Sequence, residues 1–204
     1  MLVLFLILLL AVIAFFKTDV KGKFIKPKYE DVIKSDIDYD SDGLDDYTDI
    51  LNGAKDFISK KPKYKSKYYD GGYPTDEYRV CTDIIWYALK NAGYDFKTLI
   101  DEDIKNNKDE YDEDVGDTNI DFRRVRNIKV YLDRNALKLA NDSDFNPGDI
   151  VVYKKHIAIV SDKVNSKNEN YILHQHMYQA YEYDGLFKNE ILGHYRWRLN
   201  DGKK

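Results

Sequence analysis

The sequence predicts an α+β fold, with helices in its first half, an antiparallel sheet in its second, and an apolar segment ahead of both. Three observations carry that expectation. Apolar residues recur at three- and four-residue spacing in several segments up to Asn135. From Asn146 onward, short runs of β-branched and aromatic residues alternate with turn residues, so helices come first and strands second. The 204-residue chain is 33% charged with a formal net charge of −4, enough for one packed domain and without a basic surface for nucleic acid.

Taken in order, residues 1–16 contain no polar or charged side chain, and Lys17 ends the run. As a helix they would span roughly 24 Å, slightly short of the ~30 Å of a bilayer core. The segment has no basic n-region and no small-x-small cleavage site before Lys17, so an uncleaved transmembrane anchor is expected first and a cleaved signal segment second. Either one makes the remainder a membrane-anchored extracytoplasmic or secreted domain. Residues 17–35 are Lys-rich with few large apolar groups and read as a tether. The domain proper is assigned to 36–204.

Within it, an acidic loop leads into a helical pattern over Tyr47–Ser59, which Pro62 terminates. A second helix carries Ile84, Ile85, Tyr87, Ala88 and Leu89 and stops at Gly93. A shorter one covers 95–107, residues 108–117 form a solvated acidic loop, and a further helix covers 123–135. After the turn Asn146-Pro147-Gly148-Asp149, strands are expected at 150–153, 157–160, 171–177 and 193–199, with loops at 161–170 and 184–187.

The acidic loop has the pattern of a calcium loop. Counted from Asp38 as position 1, carboxylates stand at positions 1, 3, 5, 9 and 12, with Gly43 at position 6 where a sharp turn is needed. The candidate ligands are Asp38, Asp40, Asp42, the Leu44 carbonyl, Asp46 and Asp49. The loop resembles that of an EF-hand, with Asp49 in place of the bidentate Glu and no helix ahead of Asp38. One reading is a structural Ca2+ that pins the tether to the domain. The other is an acidic N-capping segment for the helix that follows.

Cys81 is the single cysteine, so no intrachain disulfide forms. It stands at the start of the second helix, where unpaired N–H groups and the helix dipole favour the thiolate. A buried, inert thiol is the alternative. Four histidines are present. His156 opens one strand, while His174 and His176 share a face of another through their two-residue spacing. Thiol catalysis needs a base and a third group to orient it, and Cys81, His156 and His174 supply that set. Zinc is the rival for a Cys and two His, but no CxxC or HxxxH is present to close a site. No cofactor is expected for catalysis.

The order Val80-Cys81-Thr82-Asp83, Asn119 to Val125, Pro147-Gly148-Asp149-Ile150-Val151, His156 to Asp162, then Gly193-His194-Tyr195-Arg196 resembles a known family. It is similar to the NlpC-type cell-wall peptidases and, more closely, to the bacterial family called domain of unknown function 1287, over about residues 45–199. The resemblance implies a papain-like fold with the Cys helix packed on an antiparallel sheet. It implies Cys81 as nucleophile, His156 as general base and His174 as orienting residue. Family members usually carry Asn after that His; Gln175 stands here, with His176 beyond, so these two are candidate supporting residues, as is Asp83 beside the thiol. The implied activity is hydrolysis of amide bonds in peptidoglycan stem peptides, by a monomer in the bacterial cell envelope that meets the membrane through its N-terminal segment. Alternatives are other acyl transfer or deacylation on the same fold, or a non-catalytic, calcium-stabilised wall-binding module. Arg79, Arg123 and Arg124 are candidates for holding substrate carboxylates, against ordinary salt bridges with Asp117, Asp121 or Asp133.

Overall fold

Four α-helices and an antiparallel sheet make up the computed structural model, which describes residues 32–198. The anchor or signal segment and most of the tether, residues 1–31, lie outside the described residues. No helix among the described residues is long and apolar enough to cross a membrane.

Helix α1 (Asp46–Ser59) begins at Asp45, whose side chain accepts from the Thr48 N–H, and buries Ile50, Leu51, Ala54 and Phe57. Helix α2 (Asp83–Asn91) buries Ile84, Ile85, Trp86, Ala88 and Leu89, and Gly93 at φ +81° ends its turn. The two helices approach closely at Gly53, where an added Cβ would stand 2.7 Å from Asn91 Cβ and 2.9 Å from Ala88 Cα. Helix α3 (Phe96–Asn106) is capped by Asp95. Helix α4 (Val125–Asn135) starts later than the sequence pattern suggests, because Asp121–Arg123 form a short 3-10 turn ahead of it.

Two short parallel strands, β1 (Lys63–Tyr64) and β2 (Tyr78–Arg79), precede α2. The main sheet joins β3 (Leu137–Leu139), β4 (Ile150–Tyr153), β5 (His156–Val164), β6 (Asn170–Gln175), β7 (Ala180–Tyr183) and β8 (Ile191–Arg196) in the order β3-β8-β4-β5-β6-β7. Every pairing in it is antiparallel. Ile150, Val152, Ile157, Ile159 and Leu173 join the core beneath the helices. The alternate residues Val151, Tyr153, Ala158, Val160 and Ile172 form a second cluster with Phe145, Leu186 and Ile191. Strands β4 and β5 are therefore covered on both faces and read as continuous apolar runs.

Three expectations need correction. Strand β5 runs on through Ser161, Asp162 and Lys163, so the loop is only its last part. Strands β3 and β7, and the β1–β2 pair, form where the residue pattern predicts no strand. The tether is shorter than assigned: Asn146 accepts from the Ile33 N–H at 2.7 Å and donates to the Ile33 carbonyl at 3.0 Å, so the chain is already docked there.

Candidate active site

A cleft of about 710 Å³ brings Cys81, His156, His174 and His176 together with Tyr153 and Tyr181. Cys81 lies in the turn between β2 and α2, with Thr82 at the N-cap position of the helix. Asp83 holds that turn. It accepts the Val80 N–H at 2.7 Å, the Trp86 indole N–H at 2.9 Å, and two guanidinium bonds from Arg123 at 2.8 and 3.1 Å. Thr82 donates to the Arg123 carbonyl at 2.9 Å, so the Cys81 turn is fixed from both sides by one arginine.

His156 begins β5 after the tip Lys154-Lys155, and its ring stacks on Tyr153 at 6.2 Å. His156 Nε2 lies 2.9 Å from His174 Nδ1. With Nε2 so engaged, Nδ1 is the ring nitrogen of His156 left for a proton-transfer partner. His174 is buried, packed edge-on to Tyr181 at 4.7 Å and stacked with Tyr183 at 5.5 Å. Its Nε2 has no hydrogen-bond partner. Cys81 packs against the core on the helix side, whereas His174 shares the parity of Ile172 on the other face. The two sides meet at the start of β5, where the Ile157 N–H reaches the Cys81 sulfur. Cys81 shares the cleft with the histidines without a hydrogen bond to either.

The protonation states differ from the sequence expectation. Burial pushes the Cys81 thiol up to about 11, and the Asp83 carboxylate adds to that against the N–H groups of Ile157, Thr82 and Cys81 itself. Burial lowers His156 to about 4, with His176 adding to the effect. Burial also lowers His174 to about 3, helped by His156 and His176. The resting site thus holds a Cys81 thiol beside neutral His156 and His174 rings. The helix start does not make a thiolate, because desolvation outweighs the local N–H groups.

The remaining candidates separate clearly. Gln175 donates to the carbonyls of Pro62 and His176, so His174 and not Gln175 meets the His156 ring. His176 lines the cleft and its Nδ1 has no partner. None of the three arginines lines the cleft. Arg79 donates to the carbonyls of Asp76 and Tyr78; Arg123 is buried against Asp83; Arg124 pairs with Asp114 at 3.1 Å and Asp121 at 3.6 Å. The salt-bridge reading describes the last two, with Asp83 and Asp114 as the partners that spacing did not suggest. The cations at the cleft are instead Lys154 and Lys155, both exposed. Their position at the tip of a hairpin, beside His156, is the signal that would have found them. His194 is structural: it bonds Asp149 at 2.8 Å and the Ala140 carbonyl at 2.7 Å, while Arg196 also clasps Asp149.

The acidic loop forms a second candidate site. Oxygens of the exposed Asp38, Asp40 and Asp42 lie within 4.8 Å of one another. Gly43 takes φ +96°, which that turn requires. Asp46 is occupied otherwise than expected, accepting from the Tyr39 N–H at 2.9 Å and from the Tyr94 hydroxyl. Asp49 is buried and its Oδ2 has no partner. Burial, together with the carboxylates of Asp42, Asp40, Asp46 and Asp38, raises its pKa to about 6. The helix cap is Asp45 alone.

A family model described as Domain of unknown function (DUF1287) matches residues 51–197. The uncharacterized protein YijF of Escherichia coli (strain K12) is 32% identical over 164 residues, covering 72% of this chain and 80% of that protein. No solved structure matches.

Proposed function

The chain belongs to the DUF1287 family, and we propose that it is a cysteine amidase or endopeptidase of papain-like, NlpC-type layout that hydrolyses stem-peptide amides of peptidoglycan outside the cytosol. The observation that carries this reading is the 2.9 Å contact between His156 Nε2 and His174 Nδ1 in the cleft that Cys81 also lines. The packing of α2, which follows the thiol, beneath the sheet that carries both histidines supports the NlpC-type layout. The apolar run 1–16 supports an exported or membrane-tethered chain.

Because thiol and imidazole both rest neutral, the chemistry is general-base catalysis rather than attack by a preformed thiolate. His156 closes on the sulfur once substrate is bound. Its Nδ1 takes the Cys81 proton as the sulfur bonds to the amide carbonyl carbon. His174 accepts the His156 Nε2–H and holds the ring while it carries positive charge. Backbone N–H of Cys81 stabilises the oxyanion. The C–N bond then breaks, and His156 returns the proton to the leaving amine. Water, deprotonated by the same ring, attacks the thioester and releases the acid and the free thiol. Lys154 and Lys155 replace the arginines as partners for substrate carboxylates at the mouth of the cleft.

Incubating the full-length chain with peptidoglycan fragments, beside Cys81→Ala, tests the proposal. New amine and carboxyl ends that vanish in the variant are expected. Full activity in Cys81→Ala would overturn the mechanism, and wall binding without turnover would favour a non-catalytic module.

A further inference from the structure

The acidic loop is independent of the cleft, and the proposed hydrolase activity makes no use of it. Asp38, Asp40 and Asp42 alone would say little, since exposed carboxylates are carried by water. Asp49 is a different case. It lies in the first turn of α1, only 2% exposed, and its Oδ2 has no hydrogen-bond partner. The charged groups that act on it most are the other carboxylates of the same loop, Asp42 and Asp40 before Asp46 and Asp38. The loop's lysine contact, Lys34, goes instead to Asp45 and Thr48. A buried carboxylate without a partner, within electrostatic reach of like charges, is a costly arrangement unless a cation completes it.

We propose that residues 38–49 form a Ca2+ site, with the clustered side-chain oxygens of Asp38, Asp40 and Asp42 and the Leu44 carbonyl as its first ligands, and with Asp49, which lies outside that 4.8 Å cluster, as the buried carboxylate that turns in to close the shell. Asp46, the expected ninth-position ligand, is held away by the Tyr39 N–H and the Tyr94 hydroxyl, and a water is assigned to that place, as is common at position nine. Ca2+ fits better than Mg2+. It accepts six to eight oxygens in flexible geometry, whereas Mg2+ demands a near-ideal octahedron and keeps its waters. The consequence is mechanical. Tyr39 stacks on Tyr94 at 4.2 Å, and Asp40 lies against Gly93 at the end of α2. A cation here therefore ties the segment ahead of α1 to both of the first two helices.

The test is thermal unfolding of the full-length chain in detergent, stripped with a chelator and then titrated with CaCl2 or MgCl2. The midpoint should rise with CaCl2 and saturate, the unfolding constant falling ~100-fold when Ca2+ reaches one hundred times its dissociation constant. MgCl2 should do less. Asp40→Asn with Asp42→Asn should remove the Ca2+ response. Asp49→Asn should remove it as well, while raising the midpoint in chelator above that of the wild type, because it deletes an unpaired buried charge. A wild-type midpoint unmoved by Ca2+ up to ~10 mM would overturn the site. So would an equal response to MgCl2, or a response kept by the double variant.

Discussion

The cleft and the acidic loop each bury a polar atom with no partner, His174 Nε2 in one and Asp49 Oδ2 in the other. They answer the same problem in opposite ways. In the cleft, burial lowers His156 and His174 and keeps both rings uncharged, and in the proposed reaction charge arises there only as the proton moves. In the loop, burial and the carboxylates of Asp42, Asp40, Asp46 and Asp38 raise Asp49 to about 6, and the proposed Ca2+ is the counter-charge that would let it ionise. A neutral imidazole tolerates desolvation, whereas an ionised carboxylate is stabilised by a counter-ion.

The largest expected effect would break the cleft's half of that contrast. His156→Ala should lower turnover by about 10³-fold or more, removing the proposed general base. His174→Ala should cost about 10²-fold in kcat, with partial rescue by His174→Asn, whereas Gln175→Ala should leave kcat in place. Steady-state kinetics on peptidoglycan fragments check all three; equal losses at 174 and 175 would contradict the assignment. Behind the thiol, Arg123→Met leaves Asp83 buried and unpaired, which costs about 3–5 kcal/mol and should lower Tm by roughly 10 °C. A smaller effect concerns pH. Between pH 6.5 and about 4 the unfolded chain protonates His156 while the folded chain does not, so this part of the stability is complete above 6.5 and is lost as pH falls. Denaturant titrations at stepped pH should show that slope in the wild type and a shallower one in His156→Gln. Smallest is Gly43→Ala in the loop, whose positive φ should make it destabilising by about 1 kcal/mol through strain alone, since no atom crowds the site.

Much of this was legible in the residues. Tyr47–Ser59 and Asp95–Asn107 announced helices through their spacing, and the found bounds differ by a residue at most ends. Strand β7, Ala180–Tyr183, escaped because Tyr181, Glu182 and Tyr183 are all only half-buried, so no apolar face stands out against a polar one. Ser161 and Asp162 looked like a turn yet lie inside β5, where Ser161 is buried and bonds Glu182. Cys81, His156 and His174 were readable as residue types in a meaningful order. The partner of Arg123 was not, because Asp83 is forty residues away and only the packing of α2 against the 3-10 turn brings them together. The sign of the Cys81 shift was misread for the same kind of reason: sequence shows the helix start, while burial of the thiol comes from the sheet laid over it. Asp46 and Asp49 likewise sat at equivalent-looking loop positions, and only tertiary contacts gave one to Tyr94 and left the other bare.

The most direct test of the central claim is to trap the thioester. The full-length chain is mixed with excess stem-peptide fragments, quenched in acid within the first turnover, digested and weighed by mass spectrometry. The account predicts an acyl mass increment on the peptide that carries Cys81, absent in Cys81→Ala. Cleaved product with no such adduct, at an undiminished rate in Cys81→Ala, would contradict it.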